Sequence, residues 1–293
     1  MKIVSLVALC CVLICSPVWA SEKLEWNYLY RLSGLGRNAY VLGGGHVGFP
    51  AVGSGLSACV RSAADKTDVL VLEGNLLDIM SGGAALQKTL PLLSKAMEGL
   101  SGDEQLKLRS LLAPFKPEQV SVMVGDQLVL SKALGSFFGA APSMAAGTDV
   151  PLFAEAVRAT KRIGALESAD DQVTVLAKVS IQAWQTSLSQ HLALVGDADK
   201  AKAHGNAIKA MARAIMLGNE SEILRTRQQA EAGWETFMTE ERNPQLAERI
   251  DQMLGRLDKA SVFFAMGGAH LAGPGGVVAR LRERGYTLEQ ICK

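Results

Sequence analysis

Two histidines, each set in a short glycine-rich turn after an apolar run, are the residues of this chain best suited to chemistry. His46 ends the segment Ala39-Tyr-Val-Leu-Gly-Gly-Gly-His46, and His270 ends Val262-Phe-Phe-Ala-Met-Gly-Gly-Ala-His270. Glycines at such a turn let the backbone bend tightly and approach a ligand closely. A histidine there leaves the carboxyl end of a strand, where open α/β sheets place their sites. If the two strands are neighbours in one sheet, the imidazoles converge on a metal site or an acid–base pair.

Two glutamates follow apolar runs of the same kind. Glu73 follows Asp68-Val-Leu-Val-Leu72, and Glu167 follows Arg162-Ile-Gly-Ala-Leu166. Two imidazoles and two carboxylates at strand ends suit zinc, manganese, iron or cobalt in open coordination. Such an ion lowers the pKa of bound water, and a carboxylate that is not itself a ligand can serve as general base. The other interpretation of either glutamate is a buried salt bridge, with Arg242 or another basic residue as partner.

The elements that must position these residues form a sheet drawn from both ends of the chain. Strand-like runs cover residues 26–32, 39–42, 68–72, 162–166, 261–266 and 287–291, with helix-like segments at 50–64 and 275–284. Parallel pairing of consecutive strands requires a crossover, for which these helices are available. We therefore predict an α/β fold with a central mixed, largely parallel sheet built from both chain ends, and a large, mainly helical middle region over roughly residues 84–258.

Within that middle region, apolar residues recur at the three- and four-residue spacing of amphipathic helices. The segments with this periodicity are 84–100, 102–113, 117–138, 151–160, 170–195, 199–217, 220–238 and 244–257. His191 and His204 lie at polar positions of two such helices, and we expect them to face solvent. Asn243 precedes Pro244 and reads as a helix N-cap, while Asp149 reads as the start of another helix.

The first twenty residues have the features of a secretory signal peptide. Lys2 precedes an almost wholly apolar run from residue 3 to residue 15, and Val18-Trp-Ala20 fits a small-residue cleavage site. The apolar run is too short for a transmembrane anchor. We expect cleavage near Ala20–Ser21, one domain over residues 21–293, a periplasmic or secreted location, and no stable membrane span after cleavage.

The positions of the cysteines limit the redox states expected for them, and the composition bears on whether nucleic acid is a partner. Of the five cysteines, only Cys59 and Cys292 lie outside the predicted signal peptide. In an oxidising compartment they form either one disulfide or two buried free thiols, because bridging geometry cannot be read from sequence. The formal net charge is +1, aromatic residues make up 5% of the chain, and no basic stripe is visible, so nothing favours nucleic acid as a partner.

Taken together, the motifs resemble those of the TraB/PrgY/GumN family, which includes the Tiki proteases and is distantly related to erythromycin esterases and ChaN-type haem-uptake proteins. In chain order, the motifs that carry the resemblance are Tyr40-Val-Leu-Gly-Gly-Gly-His46, Val71-Leu-Glu73, Gly147-Thr-Asp149, Ile163-Gly-Ala-Leu-Glu167, Glu241-Arg242-Asn243 and Phe264-Ala-Met-Gly-Gly-Ala-His270. One departure is Gly44, where many members of the family have threonine.

The resemblance implies a hydrolase that depends on a divalent metal and, like the Tiki members, cleaves peptide bonds; the signal peptide adds that this hydrolase is exported. It implies that His46 and His270 hold the metal, together with one or both of Glu73 and Glu167. The ion would be manganese, cobalt, zinc or iron, and the substrate a peptide or protein. Whichever glutamate is not a ligand would act as the base.

The resemblance also assigns roles to the Arg-Asn pair. Arg242 would stabilise negative charge that develops during the reaction, and Asn243 would orient substrate or polarise an oxyanion. Two alternatives to an enzyme stay open. One is a non-catalytic periplasmic protein that binds metal or haem, and the other is a pseudoenzyme that acts by binding a partner.

Overall fold

The structure is a computed structural model that describes residues 24–50, 52–75, 84–115, 120–138, 143–229, 242–257 and 259–292. The predicted signal peptide and the part of the predicted helix beyond residue 229 lie outside the described residues. Among the helices in the described ranges, none is both long and apolar enough to cross a membrane.

Eight strands are present within the described residues, and six of them form the central sheet. They are β1 (Leu24–Trp26), β2 (Leu29–Gly34), β3 (Arg37–Gly44), β4 (Gly53–Leu56), β5 (Val69–Gly74), β6 (Arg162–Glu167), β7 (Val262–Gly267) and β8 (Thr287–Gln290). The central sheet has the order β6-β5-β7-β3-β2-β8. The strands β6, β5, β7 and β3 pair in parallel, and β2 pairs antiparallel with both β3 and β8.

Strand β7 lies in the middle of this sheet, between two strands from the start of the chain. Val262 pairs with Ala39 on one side and with Val69 on the other. The sheet is therefore mixed, largely parallel and built from both chain ends, which confirms the predicted α/β class. Because four parallel strands end at one edge, the residues that follow them are brought together there.

The helices cover both faces of this sheet and extend into a helical region. They are α1 (Ala58–Asp65), α2 (Ala84–Glu98), α3 (Gly102–Leu112), α4 (Val122–Phe138), α5 (Asp149–Arg158), α6 (Ala169–Lys178), α7 (Ile181–Leu194), α8 (Ala198–Leu217), α9 (Glu220–Gln229), α10 (Arg242–Arg256) and α11 (Val277–Glu283). Alternate residues of β7 face opposite ways: Phe264 packs with α10 and α11, and Phe263 packs with α1 and α5. A separate core of α2, α3, α4 and α7 surrounds the buried Trp184.

Two predicted elements differ from the observed ones. The helix predicted over residues 50–64 begins only at Ala58, after strand β4, because Gly55 adopts a φ of 84° and Ser57 caps the helix through its hydroxyl. Its apolar residues Val52 and Leu56 still pack in the core. The helix predicted over residues 170–195 is divided into α6 and α7, since Ser180 caps the second helix.

A disulfide joins the two cysteines of the described chain. Cys59 lies in α1 and Cys292 follows β8, and their Cα atoms are 5.9 Å apart. The bond ties a helix on one face of the sheet to the chain terminus, so it links the first and last parts of the fold.

Candidate functional site

The two Gly-x-x-His turns meet at the carboxyl edge of the sheet because β3 and β7 are neighbours. Gly44 and Gly267 are register partners in these strands. The turns place His46 and His270 on either side of Glu73 from β5. Nε2 of His46 is 3.5 Å from Oε2 of Glu73, and Nε2 of His270 is 3.7 Å from Oε1. One carboxylate thus stands between two imidazoles.

Arg242, at the start of α10, binds both glutamates. Its Nη2 donates to Oε1 of Glu73 at 2.7 Å, and its Nε donates to Oε1 of Glu167 at 3.2 Å. Nη2 also donates to the second oxygen of Glu167, and Nη1 lies 3.4 Å from Nε2 of His270. Both Glu167 oxygens and one Glu73 oxygen are therefore in a buried salt bridge, the interpretation that the sequence left open.

The second nitrogen of each histidine is held by another side chain. Nδ1 of His46 lies 2.7 Å from Oδ2 of Asp149, and Nδ1 of His270 lies 2.7 Å from Oδ1 of Asn243. Because both partners are acceptor oxygens, Nδ1 is the protonated nitrogen in each ring. In the neutral rings, Nε2 is the atom left to accept a proton or bind a cation.

Asn243 differs from its expected structural use, whereas Asp149 begins helix α5 as expected and has a further role. Helix α10 already includes Arg242, so Asn243 lies inside the helix and is not its N-cap. The Asn243 amide also donates to the carbonyl of Gly275 at 3.0 Å, so both ends of this side chain bind within the protein. Sequence reasoning took Asp149 for a helix start and missed its contact with His46; its place in the Gly147-Thr-Asp149 motif was the available signal.

The space beside Gly44 explains why this residue has no side chain here. A Cβ atom at Gly44 would lie 2.2 Å from Oγ1 of Thr148. That hydroxyl donates to Oδ1 of Asp149 at 3.0 Å, and Thr148 N donates to the Gly45 carbonyl at 2.8 Å. A threonine from the segment before α5 thus fills the place of a side chain at position 44 and supports the carboxylate that holds His46.

Burial and charge give the two histidines different protonation states. Burial lowers the pKa of His270 to about 4, against the opposing charge of Glu73. At His46, whose side chain is half exposed, partial loss of solvent around the ring would lower the pKa, but the charge of Glu73 and the Asp149 hydrogen bond outweigh it and raise that pKa well above its ordinary value. Burial alone would raise the pKa of Glu73. The nearby imidazoles and the Arg242 guanidinium outweigh this effect and hold that pKa well below its ordinary value.

Solvent reaches this cluster at His46. The His46 side chain is 50% exposed, whereas those of Glu73, Glu167 and Arg242 are at most 6% exposed. A group that binds from outside would therefore meet His46 first and the buried glutamates behind it.

The donor chemistry of three residues fits a divalent metal. His46 and His270 have the Nδ1 support that metal-binding histidines usually have, and Glu73 lies between their Nε2 atoms. Both oxygens of each glutamate already accept hydrogen bonds: those of Glu167 from Arg242, and those of Glu73 from Arg242 and from the backbone N–H of Gly267 at 2.7 Å. Glu73 differs from Glu167 in that both imidazoles lie beside it. Within the described part of the chain, no group of three or more His, Cys, Asp or Glu side chains is already spaced to hold a metal.

The sheet order, the paired Gly-x-x-His turns and the buried Glu–Arg cluster define an α/β protein with a polar site at the carboxyl edge of its parallel strands. The chain belongs to the TraB/PrgY/gumN family, whose model matches residues 28–290. This match confirms the family expected from the motifs, and it includes every residue of the site. No curated protein and no solved structure matches the chain.

Proposed function

We propose that this protein is an exported hydrolase that depends on a divalent metal and cleaves peptide bonds. The observation that carries the proposal is the arrangement around Glu73: two imidazoles, each held through Nδ1, present Nε2 to opposite oxygens of one ionised carboxylate. His46, His270 and Glu73 would hold manganese, cobalt, zinc or iron, which suit imidazole and carboxylate ligands.

The formal charges of the cluster support a divalent cation. The carboxylates of Glu73 and Glu167 contact the guanidinium of Arg242, and the carboxylate of Asp149 contacts His46. With His46 protonated and His270 neutral, as their pKa shifts indicate, one net negative charge remains. Release of the His46 proton when a metal binds would leave two negative charges for a dication to balance. When bound, such an ion would lower the pKa of water towards neutrality and polarise a carbonyl group.

Asp149, Glu167 and Arg242 would position the proposed ligands and stabilise charge that develops on the substrate. Asp149 keeps the His46 proton on Nδ1, and Glu167 fixes the plane of the Arg242 guanidinium by binding it through two oxygens. Arg242 would stabilise negative charge that develops on a carbonyl oxygen. The substrate would reach the site at His46, the half-exposed member of the cluster.

Export rests on the sequence features of residues 1–20 and is supported by the Cys59–Cys292 disulfide, because such bonds persist in oxidising compartments. The substrate would then be a peptide or protein outside the cytoplasm.

The contact between Arg242 and Glu73 favours a second candidate, hydrolysis without a metal. Arg242 and Glu73 would then form a fixed ion pair, and His46 would act as the acid or base from the exposed side of the site. Chelator treatment separates the two candidates, because only the first loses activity.

The test is metal analysis of the mature protein, purified without chelator or polyhistidine tag and then supplied with manganese, cobalt or zinc. The variant His46→Ala/His270→Ala should bind one equivalent less than the parent, and it should lose hydrolysis of a fluorogenic peptide library. Arg31→Gln, which alters an exposed ion pair with Glu289, serves as the matched control. Equal metal content in the parent and the double variant would refute the metal site.

A further inference from the structure

The chain has four histidines, and the structure places them in two pairs. The second pair lies away from the candidate site, in the helical region. His191 is on α7 and His204 is on α8, with ring centroids 5.7 Å apart and ring planes at 76° to each other. The expectation that His191 faces solvent is wrong, because its side chain is only 13% exposed; α4 packs against both helices. His204 is half-buried.

A buried carboxylate holds the first ring of this pair. Nδ1 of His191 lies 2.8 Å from Oδ1 of Asp126 on α4, whose side chain is 7% exposed. Ser187, one turn before His191, donates to the other Asp126 oxygen at 3.0 Å. Because Asp126 is an acceptor, the proton of the neutral His191 ring is on Nδ1, and Nε2 carries the free lone pair.

We propose that His191 and His204 together bind one divalent transition-metal ion of the class that imidazole prefers: zinc, copper or nickel. Imidazole nitrogens about 2 Å from a shared ion place the two ring centroids roughly 5–6 Å apart, and the observed 5.7 Å agrees with that separation. Asp126 would be the carboxylate that supports a metal-binding histidine through its other nitrogen.

The remaining coordination positions would be filled by water. Both oxygens of Asp126 are hydrogen-bonded, one to His191 and one to Ser187, so the protein ligands are the two histidines, His191 and His204. The half-buried His204 leaves the pair open to solvent on one side. The ion would link α7 to α8 where both pack on α4.

The test uses the mature chain without a polyhistidine tag, carrying His46→Ala and His270→Ala so that the candidate active site contributes no imidazole. Copper(II) is the probe, followed by calorimetry, electron paramagnetic resonance and thermal unfolding. We expect one equivalent of copper, nitrogen coupling from two imidazoles, and a higher Tm with copper than without. No step of this assay depends on hydrolysis, so its result is informative even if the protein is not a hydrolase.

Further variants in that background decide between a metal site and a structural contact. His204→Gln should abolish copper binding, while Lys202→Gln, at an exposed position two residues earlier on α8, should leave it unchanged. Asp126→Asn should weaken binding by about 10- to 100-fold, as loss of such support commonly does.

The proposal is overturned if the His46→Ala/His270→Ala chain binds no copper, or if binding survives His204→Gln. If His204→Gln fails to fold, the nitrogen coupling of the parent background still decides the question. Coupling from a single imidazole would show that the rings do not share an ion.

Discussion

The guanidinium of Arg242 lies within hydrogen-bonding distance of two buried carboxylates that would otherwise repel each other. Arg242→Gln should therefore destabilise the protein by about 3–5 kcal/mol, since it leaves Glu73 and Glu167 buried without a cationic partner. Urea denaturation at neutral pH measures this loss.

The matched control is Arg31→Gln, which breaks the exposed ion pair between Arg31 and Glu289. That change should cost less than about 1 kcal/mol, because solvent screens an exposed pair. Losses of equal size in the two variants would contradict the buried network.

Gly44 is the second position where one residue decides the local geometry. Its Cβ would meet Thr148 Oγ1 at 2.2 Å, so Gly44→Ala should cost about 1–3 kcal/mol through overpacking. Thr148→Ala removes the nearest atom of this clash, and the double variant should recover part of the loss. A double-mutant cycle by chemical denaturation gives the coupling energy, and strictly additive effects would mean that the two residues are not in contact.

At the scale of elements, two loops from distant parts of the sequence form the support for His46. Gly48 and Ser143 exchange two backbone hydrogen bonds, of 2.9 and 3.0 Å. A Cβ at Gly48 would lie 1.9 Å from the Ala146 carbonyl oxygen. Gly48→Ala should separate these loops, destabilise the fold by at least about 1–3 kcal/mol, and loosen the contact between Asp149 and His46.

The control for this loop variant is Gly102→Ala at the start of α3, where a Cβ would meet nothing within 4 Å. It should be neutral or stabilise by up to about 1 kcal/mol, because alanine restricts the unfolded chain. Thermal unfolding and the metal affinity of both variants check the prediction. A Gly48→Ala protein as stable as the parent would show that the loops are not held together.

The sequence predicted elements well where one local pattern dominated. Residues 68–72 and 261–266 are short apolar runs, and both became central parallel strands. Residues 53–56 were misread because Val52 and Leu56 fit a helical period, yet both are buried without a helix, Leu56 in strand β4 and Val52 in the turn before it. A hydrophobic period identifies which residues enter the core, while the backbone at Gly55 decides the conformation.

The same distinction holds for the site. The two glutamates could be predicted because each directly follows a strand-like run, and His46 and His270 because each follows such a run after a glycine-rich turn. The contact of Asp149 with His46 could not, because it depends on two loops separated by 103 residues. Nor could a sequence pattern decide that Arg242 would lie between the glutamates, since that position follows from how α10 packs on the sheet.

At the scale of the whole molecule, the sheet joins the two ends of the chain. Strand β7 lies between β5 and β3, and β8 pairs with β2, so the fold is complete only when the last residues are in place. His270 reaches His46 through this pairing. We therefore expect the candidate site to form together with the sheet rather than before it.

The disulfide stabilises this pairing of the two chain ends. It joins Cys59 in α1 to Cys292 just after β8, across a sequence separation of 233 residues. A cross-link over so long a loop restricts the unfolded chain strongly, and its loss should cost about 2–5 kcal/mol. Urea denaturation of the parent with and without reductant should show this difference, while Cys59→Ser/Cys292→Ser should match the reduced parent and not respond to reductant.

Because the bond ends next to the edge strand β8, the reduced protein should exchange its β8 amide hydrogens fastest among the sheet strands. Equal stability of the oxidised and reduced protein would mean that pairing of β8 with β2 alone holds the chain end in place.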